Sequence, residues 1–97
     1  MTLEDCIDEI IKKFSCNAYF DSHTVINELV RNKKYFCVYL REYGNRNSVE
    51  NWHSEISKLI GKNGNVCAVE YNGEAMKIAT HTIFGEISQN QVWQKKN

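Results

Sequence analysis

The dipeptide Asn72-Gly73 lies between two runs of strand-forming residues, "NVCAVEY" (65–71) and "EAMKIAT" (74–80). A type I′ turn needs a positive φ at both central residues, and Asn and Gly adopt that conformation most readily. The pattern therefore predicts a β-hairpin here. A turn around "GEISQN" (85–90) and a short strand at "VWQKK" (92–96) are predicted to follow it.

The chain before the hairpin repeats its apolar side chains at helical spacing, most clearly over residues 3–14. A short strand is predicted at residues 16–21, between the first two helices. Gly61 and Gly64 are predicted to close the last helix before the hairpin. Cap-forming residues precede three of the helices: Thr2, with Asp5 as an acidic variant of the capping box, Asp21 and Ser48.

The segment "KKYFCVYLREYG" (33–44) fits two structures. Its aromatic and β-branched residues suit a strand. However, Tyr35, Tyr39 and Tyr43 share one helical side, and Gly44 would end a helix well. We favour a helix, because the i, i+4 repeats cover the whole segment.

The predicted order is helix, strand, helix, helix, helix, hairpin and terminal strand. A chain of 97 residues, 42% of them hydrophobic, is long enough for one domain with its own core. We therefore predict a single α+β domain over residues 1–97, winged-helix-like, with three to four helices and a small antiparallel sheet.

The helix that starts at Ser48 precedes the hairpin, and in a winged helix this element enters the major groove of DNA. Asn, Ser and Lys side chains contact base edges and phosphates. The leading hypothesis is a DNA-binding or regulatory protein that acts as a dimer. Its predicted DNA-binding residues are Asn51, Ser54 and Lys58 for the DNA groove, and Arg46, Lys62 and Lys77 for phosphates.

The charge pattern gives this hypothesis mixed support. Residues 31–46 carry five basic side chains against Glu42, but the whole chain has 12 basic and 12 acidic residues. Glu50 and Glu55 flank the polar face of the helix and would repel phosphate. An ordinary solvated helix face is the competing interpretation.

The second hypothesis keeps the same fold as a protein-interaction or accessory module, encoded by a mobile element, without DNA binding. Tyr and Trp are favoured at interfaces, although the tyrosines of residues 33–44 also suit a core. The predicted partner-binding residues are Tyr35, Tyr39, Tyr43 and Trp93.

Catalysis has little support in the sequence, since it contains neither a nucleophile elbow nor a glycine-rich phosphate loop. His23 and His53 border the apolar arcs of two helices, and we interpret them as core-edge groups that bond to backbone or to each other. No partner can be identified for His81. A small hydrolase or metal protein using His23 and His53 is the third hypothesis; we expect no enzyme activity and no cofactor.

No apolar run approaches the roughly 18 residues that cross a bilayer. The start of the chain is acidic and amphipathic, unlike a secretory signal. Its four cysteines are widely spaced, which favours reduced thiols over a disulfide framework or a zinc site. We therefore expect a cytoplasmic protein.

Three stretches, "FDSHTVI" (20–26), "HSEISKLI" (53–60) and "SQNQVW" (88–93), resemble a group of small uncharacterised bacterial proteins. That group has an FDSH helix start, an HS-x-I-x-x-I helix and an S-x-N-x-x-W ending, often with Ala-Cys where this chain has Gln91 and Val92. The resemblance implies one folded unit over residues 20–93, and it carries over no site residues.

Overall fold

The computed structural model describes residues 1–44 and 48–96 and has an α+β fold. Within this part of the chain, four helices precede a set of short antiparallel strands. The elements are α1 (Leu3–Lys12), β1 (Tyr19–Phe20), α2 (Ser22–Arg31), α3 (Lys33–Tyr43), α4 (Val49–Lys62), β2 (Val66–Ala68), β3 (Glu70–Tyr71), β4 (Glu74–Ala75), β5 (Lys77–His81), β6 (Ile87–Gln91) and β7 (Trp93–Lys95).

The predicted helix starts are present. The Thr2 hydroxyl accepts from the Asp5 N–H at 3.1 Å, and the Asp5 carboxylate accepts from the Thr2 N–H at 3.0 Å, which completes the capping box. Asp21 and Ser48 each accept from a backbone N–H three residues on. Lys33–Tyr43 is α3, so the helical interpretation of the ambiguous segment is confirmed.

The four helices bury their apolar faces in one core. Tyr35 and Tyr39 of α3 belong to it, with exposed fractions of 0% and 5%. They are therefore core residues. The prediction that they form a partner-binding surface is wrong, because their rings are buried and a second molecule could not contact them. Tyr43 and Trp93, predicted in the same set, are half-buried against the core.

The predicted hairpin is present between β3 and β4, with φ of 54° at Asn72 and 80° at Gly73. A separate sheet has the order β1-β7-β2, with antiparallel pairs. Trp93 of β7 lies against α4 at Gly61, where an added Cβ would be 3.0 Å from the indole ring. Gly61 therefore permits close packing inside α4, and the helix ends at Lys62, between the two glycines that were predicted to close it.

The prediction of a turn over residues 85–90 is wrong. The chain turns earlier, because the Thr82 hydroxyl accepts from the N–H groups of Phe84 and Glu86, and Gly85 has a φ of 82°. Ile87–Gln91 is strand β6, and it pairs along its whole length with β5. This pairing satisfies the backbone groups of a Ser-Gln-Asn run whose local preference is for turns.

Three backbone hydrogen bonds join the strands at a junction. Val69 N–H donates to the Val92 carbonyl at 3.0 Å, Val92 N–H to Met76 at 2.9 Å, and Met76 N–H to Val69 at 2.8 Å. Each of these residues lies between two consecutive strands. The pairs β2–β7, β3–β4 and β5–β6 therefore belong to three separate sheets that are connected at this junction. Residues 77–91, called the arm below, reach α2 through β6.

The predicted α+β class is confirmed, whereas the likeness to a winged helix stays a prediction. All four cysteines are free thiols. Over residues 1–44 and 48–96, no helix has the length and apolar character needed to cross a membrane.

Candidate functional site

Three consecutive polar residues at the start of α2 are buried. Asp21, Ser22 and His23 have exposed fractions of 3%, 3% and 8%. A buried polar group without a hydrogen-bond partner costs about 1–3 kcal/mol. The partners of these three residues come largely from the arm and from α4, so they fix how both elements pack against α2.

Thr80 of β5 links Asp21 to His23. Its hydroxyl donates to the Asp21 carboxylate. Because the single hydroxyl proton is used there, Thr80 Oγ1 accepts from the Nδ1–H of His23, 2.6 Å away. The other Asp21 oxygen accepts from the N–H and hydroxyl of Thr24 at 3.2 and 2.9 Å. Asp21 therefore caps α2 and also holds the arm through Thr80.

The His23 ring also contacts β6. Asn90 Nδ2 lies 2.9 Å from both ring nitrogens, and Ser88 Oγ lies 3.3 Å from Nε2. Ser88 and Asn90 are two residues apart on a strand, so their side chains share one face. Both strands of the arm thus contact one imidazole ring.

Two further hydrogen bonds involve α4. The Ser57 hydroxyl donates to the Ser22 hydroxyl at 2.7 Å, which ties α4 to the start of α2. His53 Nε2 lies 2.8 Å from the Tyr39 hydroxyl of α3. We call Asp21, Ser22, His23, Ser57, Thr80, Ser88 and Asn90 together the polar cluster.

Burial lowers the pKa of His53 below its usual 6.5, and the neighbouring His23 lowers it further, against an opposing effect of Glu50. The His53 ring is therefore uncharged at neutral pH. Burial also raises the pKa of Tyr39, so its hydroxyl keeps its proton. The contact between these two side chains is a hydrogen bond between uncharged groups.

Two cavities adjoin the polar cluster. The first, which we call the lysine groove, has a volume of about 370 Å³ between α4 and the arm. None of the described residues that line it carries a carboxylate. Its charged and polar lining includes Ser57, Lys58, Lys77, Gln89 and Gln91, with Trp93 at one side.

The second cavity, which we call the histidine cleft, has a volume of about 300 Å³. Its lining shares Ser22, Ser57, Gln89 and Asn90 with the lysine groove, so the two cavities are adjacent. Its charged side chains are Glu50 and Glu86, and no Lys or Arg of the described residues lines it. The lining also includes His23, His53, Ser54 and Phe84.

The structure brings together only some of the predicted DNA-binding residues. Lys58 and Lys77 line the lysine groove, and Ser54 lines the histidine cleft. Lys62 lies one helical turn after Lys58 and lines two cavities beside the acidic start of α1, one of which Lys58 lines as well. Asn51 is exposed on α4. Arg46 lies outside the described residues.

The prediction that His23 and His53 bond to backbone or to each other is wrong, since their rings contact Thr80, Asn90 and Tyr39. Sequence reasoning did not identify Thr80, Ser88 or Asn90 as site residues. The stretches 20–26, 53–60 and 88–93, which were compared above with a bacterial group on sequence alone, each contribute residues to the polar cluster. His81, for which no partner was predicted, is exposed on β5.

Within residues 1–44 and 48–96, no group of three or more His, Cys, Asp or Glu side chains is placed to hold a metal ion. Comparisons with protein-family models, curated proteins and solved structures find no match. The geometry of the two cavities is therefore the basis for inferring a function.

Proposed function

We propose that this chain is a DNA-binding protein of winged-helix-like layout, and that α4 and the arm flank the groove in which DNA phosphates lie. The observation that carries the proposal is the lining of the lysine groove. Lys58 and Lys77 line it together with glutamine side chains, and none of the described lining residues carries a carboxylate. The proposal is one of binding without catalysis, and it implies a cytoplasmic location.

The lysine groove has the chemistry of a phosphate site next to a base-reading surface. Lysine ammonium groups contact phosphates and release counterions, which makes binding depend on salt. Amide side chains such as Gln89 and Gln91 can contact phosphates or base edges. Gln91 stands directly opposite Lys77 in the β5–β6 pairing, so one pair of residues in the arm supplies both an ammonium group and an amide group.

Acidic side chains line other cavities, and one of these, which contains Glu4, Glu42 and Glu55, borders both Lys58 and Lys62. Lys62 borders a cavity with Glu4, Asp5 and Asp8, whose charges would repel DNA, so we do not assign Lys62 to a phosphate contact. This distribution supports a local binding surface on a protein whose formal net charge is zero.

The test is the affinity for labelled duplex DNA, measured by fluorescence anisotropy between about 50 and 200 mM salt. We expect the double substitution Lys58→Glu with Lys77→Glu to abolish binding. Replacing both lysines by Gln should lower the salt slope by about two units, since each lost phosphate contact removes about one.

Lys33→Glu and Lys62→Glu are matched controls, because both residues are exposed and lie outside the lysine groove. Both variants should bind as the parent does. Absence of salt-dependent binding by the parent at about 50 mM salt would refute the proposal. Equal losses in the Lys62→Glu variant would move the binding surface to the α1 side of α4.

The second candidate function is a protein-interaction module, favoured by two exposed apolar side chains on α3. Phe36 and Leu40 lie one helical turn apart and are 37% and 51% exposed. A homodimer through α3 would cover them. Leu40→Glu should then reduce the solution mass measured by light scattering, and a monomeric parent would rule this candidate out.

A further inference from the structure

We propose that the histidine cleft accepts one unstacked nucleobase of a strand whose phosphates lie in the adjoining lysine groove. This inference rests on the proposed function, because it needs a nucleic acid in the groove. It adds a binding site and a ligand class: a single base of single-stranded or locally opened DNA.

The first support is that the two cavities are adjacent. Gln89 and Asn90 line both, and so do Ser22 and Ser57. A nucleotide joins a phosphate and a base through one sugar, so two adjacent sites of different chemistry can bind its two ends.

The second support is the opposite charge of the two linings. The lysine groove has two ammonium groups without a carboxylate, whereas the histidine cleft has Glu50 and Glu86 without a Lys or Arg among the described residues. The cleft therefore repels phosphate and favours an uncharged group. Its carboxylates, hydroxyls and amides match the donors and acceptors on the edge of a base.

The third support is the aromatic wall at the cleft. Phe84 lies in the turn of the arm and is 61% exposed, although its side chain is large and apolar. Its ring lies 15° from parallel to the His53 ring, with centroids 6.5 Å apart. Aromatic faces presented beside a basic groove are the usual platforms for single-stranded bases. The uncharged state of His53 suits a base better than a phosphate.

The size of the cleft agrees with this ligand. Its volume of about 300 Å³ is at the small end of the range for small-molecule sites. A single base fits this range, whereas a folded peptide segment does not.

The experiment compares two single-stranded oligonucleotides of equal length, one of thymidines and one made wholly of abasic sites. Both carry the same phosphates, so their affinity ratio isolates the contribution of the bases. We expect the parent protein to bind the thymidine strand about 5- to 150-fold more tightly, as expected for one stacked base. Phe84→Ala should bring this ratio close to one.

Tyr71→Ala is the matched control, because Tyr71 is an aromatic residue of the neighbouring hairpin and is 70% exposed. It should leave the ratio unchanged. Lys58→Gln should weaken both strands equally. Since Phe84 and Tyr71 are both exposed, neither substitution removes core packing.

The outcomes separate the two proposals. Equal binding of the two strands by the parent, or a ratio that survives Phe84→Ala, overturns the base site and leaves the lysine groove standing. Binding of duplex DNA without binding of either single strand also overturns the base site alone. Failure of all three nucleic acids to bind overturns both proposals.

Discussion

Replacing Thr80 with Val tests whether the polar cluster holds the arm against α2. The substitution keeps the branched shape of the side chain and removes the hydroxyl that bonds both Asp21 and His23. A hydrogen bond to a charged group contributes about 1.5–3 kcal/mol, and a buried group left without a partner costs about 1–3 kcal/mol. Both effects apply here, because Asp21 and His23 are buried.

Part of this loss can be recovered. His23 Nδ1 lies 3.8 Å from the nearer Asp21 oxygen, so a small movement of the ring would let the two groups bond directly. We therefore expect Thr80→Val to lower the free energy of unfolding by about 2–4 kcal/mol. Measured by urea unfolding with tryptophan fluorescence, this loss lowers the midpoint by roughly 1–3 M.

Thr80→Ser is the control, because it keeps the hydroxyl and loses only a methyl group, worth about 0.8 kcal/mol at most. The Val variant should be clearly less stable than the Ser variant. If the Val variant unfolds within about 0.5 kcal/mol of the parent, or if both variants lose the same stability, the hydroxyl does not hold the arm.

Three further predictions concern local stability. The free energy of unfolding should fall as the pH drops below 6.5. Burial lowers the pKa of His53 in the folded protein, so the unfolded chain binds a proton at this residue at a higher pH than the folded protein does. His53→Gln should flatten this dependence in urea titrations at several pH values, and parallel pH profiles would contradict the stated cause. Gly73→Ala should cost about 1–2 kcal/mol, since Gly73 has a φ of 80°; an unchanged urea midpoint would argue against this turn. Thr2→Ala should cost about 1 kcal/mol through loss of the capping box, and equal thermal midpoints would show that the cap contributes nothing.

Local features of the fold could be predicted from the sequence. Thr2, Asp21 and Ser48 bond to backbone only three residues away, so the short-range pattern contains the whole interaction. The turn at Asn72-Gly73 is local in the same way, because it depends on the φ preferences of two adjacent residues.

The polar cluster could not be predicted in this way. The bond between His23 and Asn90 joins residues 67 positions apart, and no local spacing encodes it. Ser88 and Asn90 also favour turns locally, and pairing with β5 overrides that preference. The different surroundings of Lys58 and Lys62 on α4 could not be predicted for the same reason. Lys58 lines the lysine groove as well as a cavity beside α1, whereas Lys62 lines only cavities beside α1, because tertiary packing decides which neighbours each residue has.

The proposed DNA-binding surface can be tested directly by titrating ¹⁵N-labelled protein with duplex DNA at about 50 mM salt and following the backbone amide shifts. We expect the largest changes at Lys58, Gly61, Lys77 and residues 89–91, with Lys33 and the first turn of α1 unaffected. Shifts concentrated around Lys62 or on α3, or no shifts at all, would contradict a DNA-binding groove between α4 and the arm.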